Sequence, residues 1–186
     1  DADRPRYYIE LRNLLTDKRL RPHLKDLALA LAFGVSDPGD DDWSVLEPWL
    51  SSELSAFTQG KKNSDKLATL VWQHFFTSES WFRLVDTRGL FAGWLGSNIE
   101  AITNMGVNYL RWHQKHSPDR VAELLEPYVG KPGEWPARLR HVVEWADHGK
   151  SRRFFDLLLR LIDDGTLDDA RGPIAVNSTF WSIFYD

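Results

Sequence analysis

The sequence predicts an all-α chain, and three observations carry that prediction. Apolar residues recur at i, i+3, i+4 and i+7 in segment after segment, the spacing that lines one face of a 3.6-residue helix. Residues that start and stop helices punctuate those segments. Alternating runs of β-branched residues are missing, since Ile174-Ala175-Val176 is too short for a strand.

Taken in order, Leu24, Leu27, Ala28 and Leu31 form a first stripe, and Leu67, Leu70, Val71 and His74 a second. A third runs through Leu139, Val142, Val143 and Ala146. Phe154, Leu157, Leu158, Leu161 and Ile162 make a fourth, and Phe155 and Leu159 beside it imply a helix covered on two sides. Ser97 with Glu100 spells a capping box, in which hydroxyl and carboxylate each satisfy a backbone N–H at a helix start. Ser117-Pro118 sets a cap before a proline at the first helical position, where a missing N–H costs nothing. Ser64 and Ser151 are further starts. Gly34, Gly60, Gly130, Gly149 and Gly165 each follow an apolar stripe, where a left-handed terminating residue belongs.

Composition bounds the classes. With 186 residues, 42% hydrophobic and 13% aromatic, the chain has enough apolar mass for a core, and no cysteine is available for disulfide staples. A formal charge of -4 weighs against a nucleic-acid binder. Apolar runs fall short of the roughly 18–20 residues of a membrane span, and the cysteine-free composition fits a reducing cytoplasm. The first residue is Asp1 and the last segment, Asn177 to Asp186, is an uncapped apolar cluster. We expect one helical domain over residues 1–186, cut from a larger multidomain protein.

The most informative pattern is internal. Leu46-Glu47-Pro48-Trp49-Leu50 recurs as Leu125-Glu126-Pro127-Tyr128-Val129, an offset of 79 residues from Leu46 to Leu125, and Gly89 to Leu95 offers a degenerate middle copy. The mean period of about 40 residues is that of a two-helix HEAT or armadillo unit. Pro48 and Pro127 should end or kink equivalent helices. Such units cannot bury their own apolar faces and therefore stack.

Few residues suggest chemistry. Gly149-Lys150-Ser151 resembles the end of a phosphate-binding loop, but Glu144 stands where the first glycine is required and a helix precedes it in place of a strand. His141, Glu144 and His148 share roughly one helical face, as do His113 and His116, yet neither set has zinc-protease spacing, and a solvated polar face explains each. His74 reads as a hydrogen-bonded core residue. Asp40-Asp41-Asp42 and Asp163-Asp164 with Asp168-Asp169 miss the calcium-loop spacing and read as helix-start and turn residues. No Gly-x-Ser-x-Gly elbow and no cysteine nucleophile is present. No catalytic residue, metal or cofactor is therefore expected. Most of the nine tryptophans lie beside other apolar residues and should pack, whereas Trp112 and Trp145 fall off their helices' main stripes.

The polar faces give one positive expectation. Asn104, Asn108, Arg111 and Lys115 line one side of a helix; Arg138, His141, Trp145 and His148 line another; Arg153 and Arg160 flank Asp156 on a third. Laid side by side in successive units, Asn108, Arg111, Trp112, Lys115, Arg138, His141, Trp145, Arg153 and Arg160 would form a protein-binding ridge.

With the words Leu46–Leu50 and Leu125–Val129 in view, the chain resembles HEAT/armadillo-like helical arrays and, more loosely, the helical-repeat regions of large bacterial STAND-type ATPases. That resemblance implies an α-solenoid of two-helix repeats acting as a non-catalytic scaffold or sensor, with a protein partner or other domains of its own parent chain, and any ATPase lying elsewhere. A nucleic-acid-binding helical array and an unrecognised all-helical enzyme are the alternatives.

Overall fold

The computed structural model describes residues 4–17, 19–21, 24, 28, 37–58, 78–143, 151–169 and 172–173. They are helical, as the periodicity predicts. Extended pairing among them is confined to a two-residue antiparallel ladder of Asp168–Asp169 with Gly172–Pro173. No described helix is long and apolar enough to cross a membrane. The chain divides into two compact units, Asp1–Arg88 and Gly89–Asp186.

In the first unit α1 (Arg4–Thr16) packs on α2 (Asp40–Thr58). Tyr8, Leu11 and Leu15 at i, i+3 and i+7 are buried on α1, and Trp43, Leu46 and Leu50 repeat that spacing on α2. A buried carboxylate joins them: Asp42 accepts from the Tyr8 hydroxyl at 2.8 Å and from the Gly39 N–H at 2.8 Å, which satisfies an orphan donor at the start of α2. Asp40, Asp41 and Asp42 all fall in that first turn, where the helix dipole favours negative charge. α3 (Glu79–Thr87) begins at Ser78, whose hydroxyl accepts from the Trp81 N–H, and buries Trp81, Phe82 and Val85. Arg88 at its end pairs with Asp40 and lies 6.0 Å from the Trp43 ring.

The second unit is built from α4 (Leu90–Leu95), α5 (Glu100–His113), α6 (Pro118–Leu125), α7 (Trp135–Val143) and α8 (Arg152–Asp163), with a 3-10 turn at Glu126–Tyr128. α4 crosses α5 closely at Gly106, where an added Cβ would lie 3.3 Å from the Trp94 Cβ. Phe91, Trp94 and Tyr109 surround that crossing with ring centroids 5.4–5.7 Å apart.

Beyond α4, helices pair two apart in the chain: α5 with α7 and α6 with α8. Arg138 meets Asn104 and His141 meets Asn108, so the order of partners is the same along both helices, and α5 and α7 run in the same sense. On α6 the buried Val121, Leu124 and Leu125 are matched 33 positions later by Phe154, Leu157 and Leu158 on α8. Ser151 caps α8, accepting from the Phe154 N–H at 3.0 Å while donating to Asp119 on α6. Gly165 (φ +73°) closes α8 in the left-handed region, as expected, and Gly130 (φ +74°) follows the 3-10 turn likewise.

Several expectations need correction. α5 begins with Ile99 as its cap, so Ser97 and Glu100 form no capping box. Thr103 draws the Ser97 carbonyl into a 3.0 Å hydrogen bond, and the Ser97 hydroxyl accepts from the Ile99 N–H instead. Pro48 does not end its helix, since α2 runs through it to Thr58, whereas Pro127 lies in the 3-10 turn. Gly89 to Leu95 is a left-handed cap followed by α4, so the three similar words occupy three different local structures. Leu159 and Ile162 are exposed, leaving α8 with a single buried stripe of Phe154, Leu157, Leu158 and Leu161. His113 is buried while His116 is exposed, so that pair shares no solvated face. The expectations at Ser64, Leu67 to His74, Gly34, Gly60, Glu144 to Lys150 and Asn177 to Asp186 lie outside the described residues, as do Leu27 and Leu31.

Candidate functional site

The same-sense pairing of α5 and α7 leaves a groove of about 380 Å³, lined by Glu100, Asn104, Val107, Asn108, Glu134, Ala137, Arg138 and His141. Its volume falls within the range of ligand clefts. Val107 supplies a buried apolar floor. Both polar walls follow from helical periodicity: Glu100, Asn104 and Asn108 stand at i, i+4 and i+8 on α5, and Glu134, Arg138 and His141 at i, i+4 and i+7 on or just before α7.

Opposite residues bind one another across the groove. Arg138 Nε donates to Asn104 Oδ1 at 2.9 Å. His141 Nε2 lies 3.0 Å from Asn108 Oδ1 and 3.4 Å from Arg111 Nη1. An amide oxygen only accepts and a guanidinium only donates, so Nε2 serves Asn108 in the tautomer that carries its proton and Arg111 in the one that does not. Both asparagine oxygens are thereby used, and the groove keeps the two amide N–H₂ groups and the Arg138 Nη atoms as donors. Glu100 and Glu134 are exposed at one end and have no ion pair among the described residues.

Arg138 is fixed from a second side. Its guanidinium lies 5.4 Å from the Trp135 ring, Trp135 stacks on Tyr128 at 3.7 Å, and Lys131 Nζ lies 4.5 Å from the other aromatic ring. Cation, two rings and cation make a layered stack that holds the turn before α7 against the groove wall. Partial burial raises the Tyr128 phenol above its ordinary value. Sequence reasoning missed Tyr128, Trp135, Glu100 and Glu134. A comparison of α5 with α7 at a step of 34 would have aligned Glu100 with Glu134 and Asn104 with Arg138.

Of the nine ridge residues, the structure brings Asn108, Arg111, Arg138 and His141 together. Trp112, 59% exposed, and Lys115 stand at the C-terminal end of α5. Arg153 is engaged elsewhere, donating through Nε and Nη2 to both carboxylate oxygens of Glu126 at 2.9 and 3.0 Å and pairing with Glu123. That fork lowers the Glu126 carboxyl below its ordinary value, with Arg160 adding to the effect, and raises Arg153 in turn. Arg153 thus belongs to the contact of α8 with α6 and its 3-10 turn, and Arg160 stands exposed on α8. Trp145 lies outside the described residues. Comparison with protein-family models, curated proteins and solved structures finds no match.

Proposed function

We propose that this chain is a non-catalytic helical-repeat module that binds protein through the α5/α7 groove. One observation carries the reading: two same-sense helices face each other at a step of 34 residues, Glu100 to Glu134 and Asn104 to Arg138, and present matched polar side chains around an open cleft. Stacking of α5/α6 on α7/α8 is what tandem two-helix units produce, and this supports an α-solenoid, with a step shorter than the period of about 40 expected from the repeated words. Extended grooves between such units are suited to polypeptide ligands. Arg138 holds Asn104 and His141 meets Asn108, which leaves the groove a set of fixed amide and guanidinium donors and favours binding over bond-making. Glu100 and Glu134 in the same cleft oppose a phosphate backbone, so the nucleic-acid alternative has less support. A role as sensor or scaffold within a larger cytoplasmic protein is consistent with this reading.

The test is affinity capture from the source organism with wild type, the Arg111→Glu plus Trp112→Ala variant, and Arg152→Glu as an exposed control. Selective loss of a captured protein in the groove variant, with helicity unchanged by circular dichroism, supports the reading. Equal recovery by all three chains overturns it.

A further inference from the structure

The groove is electrically polarised along its length, and that polarity specifies a ligand. Glu100 and Glu134 stand at the N-terminal end of both helices. The amide donors of Asn104 and Asn108 and the Nη atoms of Arg138 follow. Arg111 lies beside His141 at the far end, and Lys115 follows in the turn after α5. From Glu100 to Arg111 the axis advances about 16 Å at 1.5 Å per residue.

A matching ligand therefore has a cation at one end, carbonyl oxygens in the middle and an anion at the other end. A helix uses its carbonyls internally; an extended segment offers them outward, and because its side chains alternate, residues four apart share a face and stand about 13 Å apart, with side-chain reach at both ends covering the rest. A phosphate is disfavoured because a dianion would lie in a cleft that already holds two carboxylates.

Resting on the protein-binding reading above, we propose that the α5/α7 groove takes an extended segment of a partner protein. The segment carries a Lys or Arg at the Glu100/Glu134 end and an Asp or Glu four residues away, on the same face, at the Arg111/His141 end. The mid-groove donors meet its backbone carbonyls.

The probes are two fluorescein-labelled octapeptides of identical composition, one with Lys and Glu four positions apart on a Ser/Ala background, the other with Lys and Glu adjacent. Fluorescence anisotropy with the full chain should show at least about tenfold tighter binding of the spaced peptide, the factor expected from losing about 1.4 kcal/mol of one end contact. A Glu100→Lys plus Glu134→Lys variant should reverse the preference, losing the spaced Lys/Glu peptide and gaining one with Glu at both positions. Because these two side chains are exposed, the variant leaves the fold in place, and the gained affinity cannot come from unfolding. Equal affinity for the two isomers, or failure of the variant to change preference, overturns the proposal. If no peptide binds while the partner is still captured and lost in the Arg111/Trp112 variant, this inference falls and the protein-binding reading stands.

Discussion

At the scale of single residues, the described chain is held by polar side chains that bridge helices as well as by apolar burial. Ser151 serves two helices at once, capping α8 and donating to Asp119 on α6. Ser151→Ala should cost about 1–2 kcal/mol, an ordinary cap plus a partly buried hydrogen bond, read as a lower urea midpoint at unchanged slope. Tyr109 is 1% exposed and burial raises its phenol well above the ordinary value of 10.0. Here the unfolded chain ionises first, so stability is fully present below about pH 10 and falls as pH rises above it. Denaturation midpoints at pH 8 and pH 10.5 should show that drop in wild type and a smaller one in Tyr109→Phe. Glu126 works in the opposite direction. Its pairing with Arg153 lowers its carboxyl below 4.5, so the contribution is present above that pH and disappears as pH falls. Glu126→Gln should flatten the acid limb, by little, because Arg153 is solvent-exposed.

At the scale of elements, the α4/α5 crossing is set by Gly106. Alanine would raise helix propensity by up to about 1 kcal/mol, but its methyl would meet the Trp94 Cβ at 3.3 Å, and the Trp94 ring is held by Phe91 and Tyr109. Overpacking costs about 1–3 kcal/mol and wins. We expect Gly106→Ala to lose about 1 kcal/mol net in urea denaturation. Much of α7 and α8 was legible in the sequence, because Leu139, Val142 and Val143 and the stripe from Phe154 to Leu161 follow the helical period and are buried. Start signals were read less well. A serine three residues before a glutamate marks a cap only when its hydroxyl is left for the N–H of the first turn, and the Ser97 hydroxyl accepts from the Ile99 N–H instead. Pro48 was expected to end or kink its helix, and it does not end it, because α2 continues through it to Thr58.

At the scale of the whole molecule, the all-helical class was legible from periodicity alone, whereas the period of about 40 residues read from the repeated words is not the step at which the described helices of the second unit pair. Short words such as Leu125 to Val129 are matched by composition, whereas helix stacking is set by which faces are buried and which side chains meet, at 33 and 34 residues here. The groove was legible in part: Asn108, Arg111, Arg138 and His141 were grouped by their position on polar faces and meet one another, but Arg153 was grouped with them by charge and turns instead toward Glu126. Charge says that a side chain seeks a partner, and only the neighbouring helix decides which.

The stack of Lys131, Tyr128, Trp135 and Arg138 has a kinetic consequence for whatever occupies the groove. An arginine on an open surface surrenders up to about 2 kcal/mol of rotamer freedom when a ligand immobilises it. Arg138 has already surrendered most of that freedom to Trp135 on one side and Asn104 on the other. Its wall is set before encounter, so association should proceed in a single phase whose rate rises linearly with concentration. Trp135→Ala should slow capture without altering the charge that the groove presents.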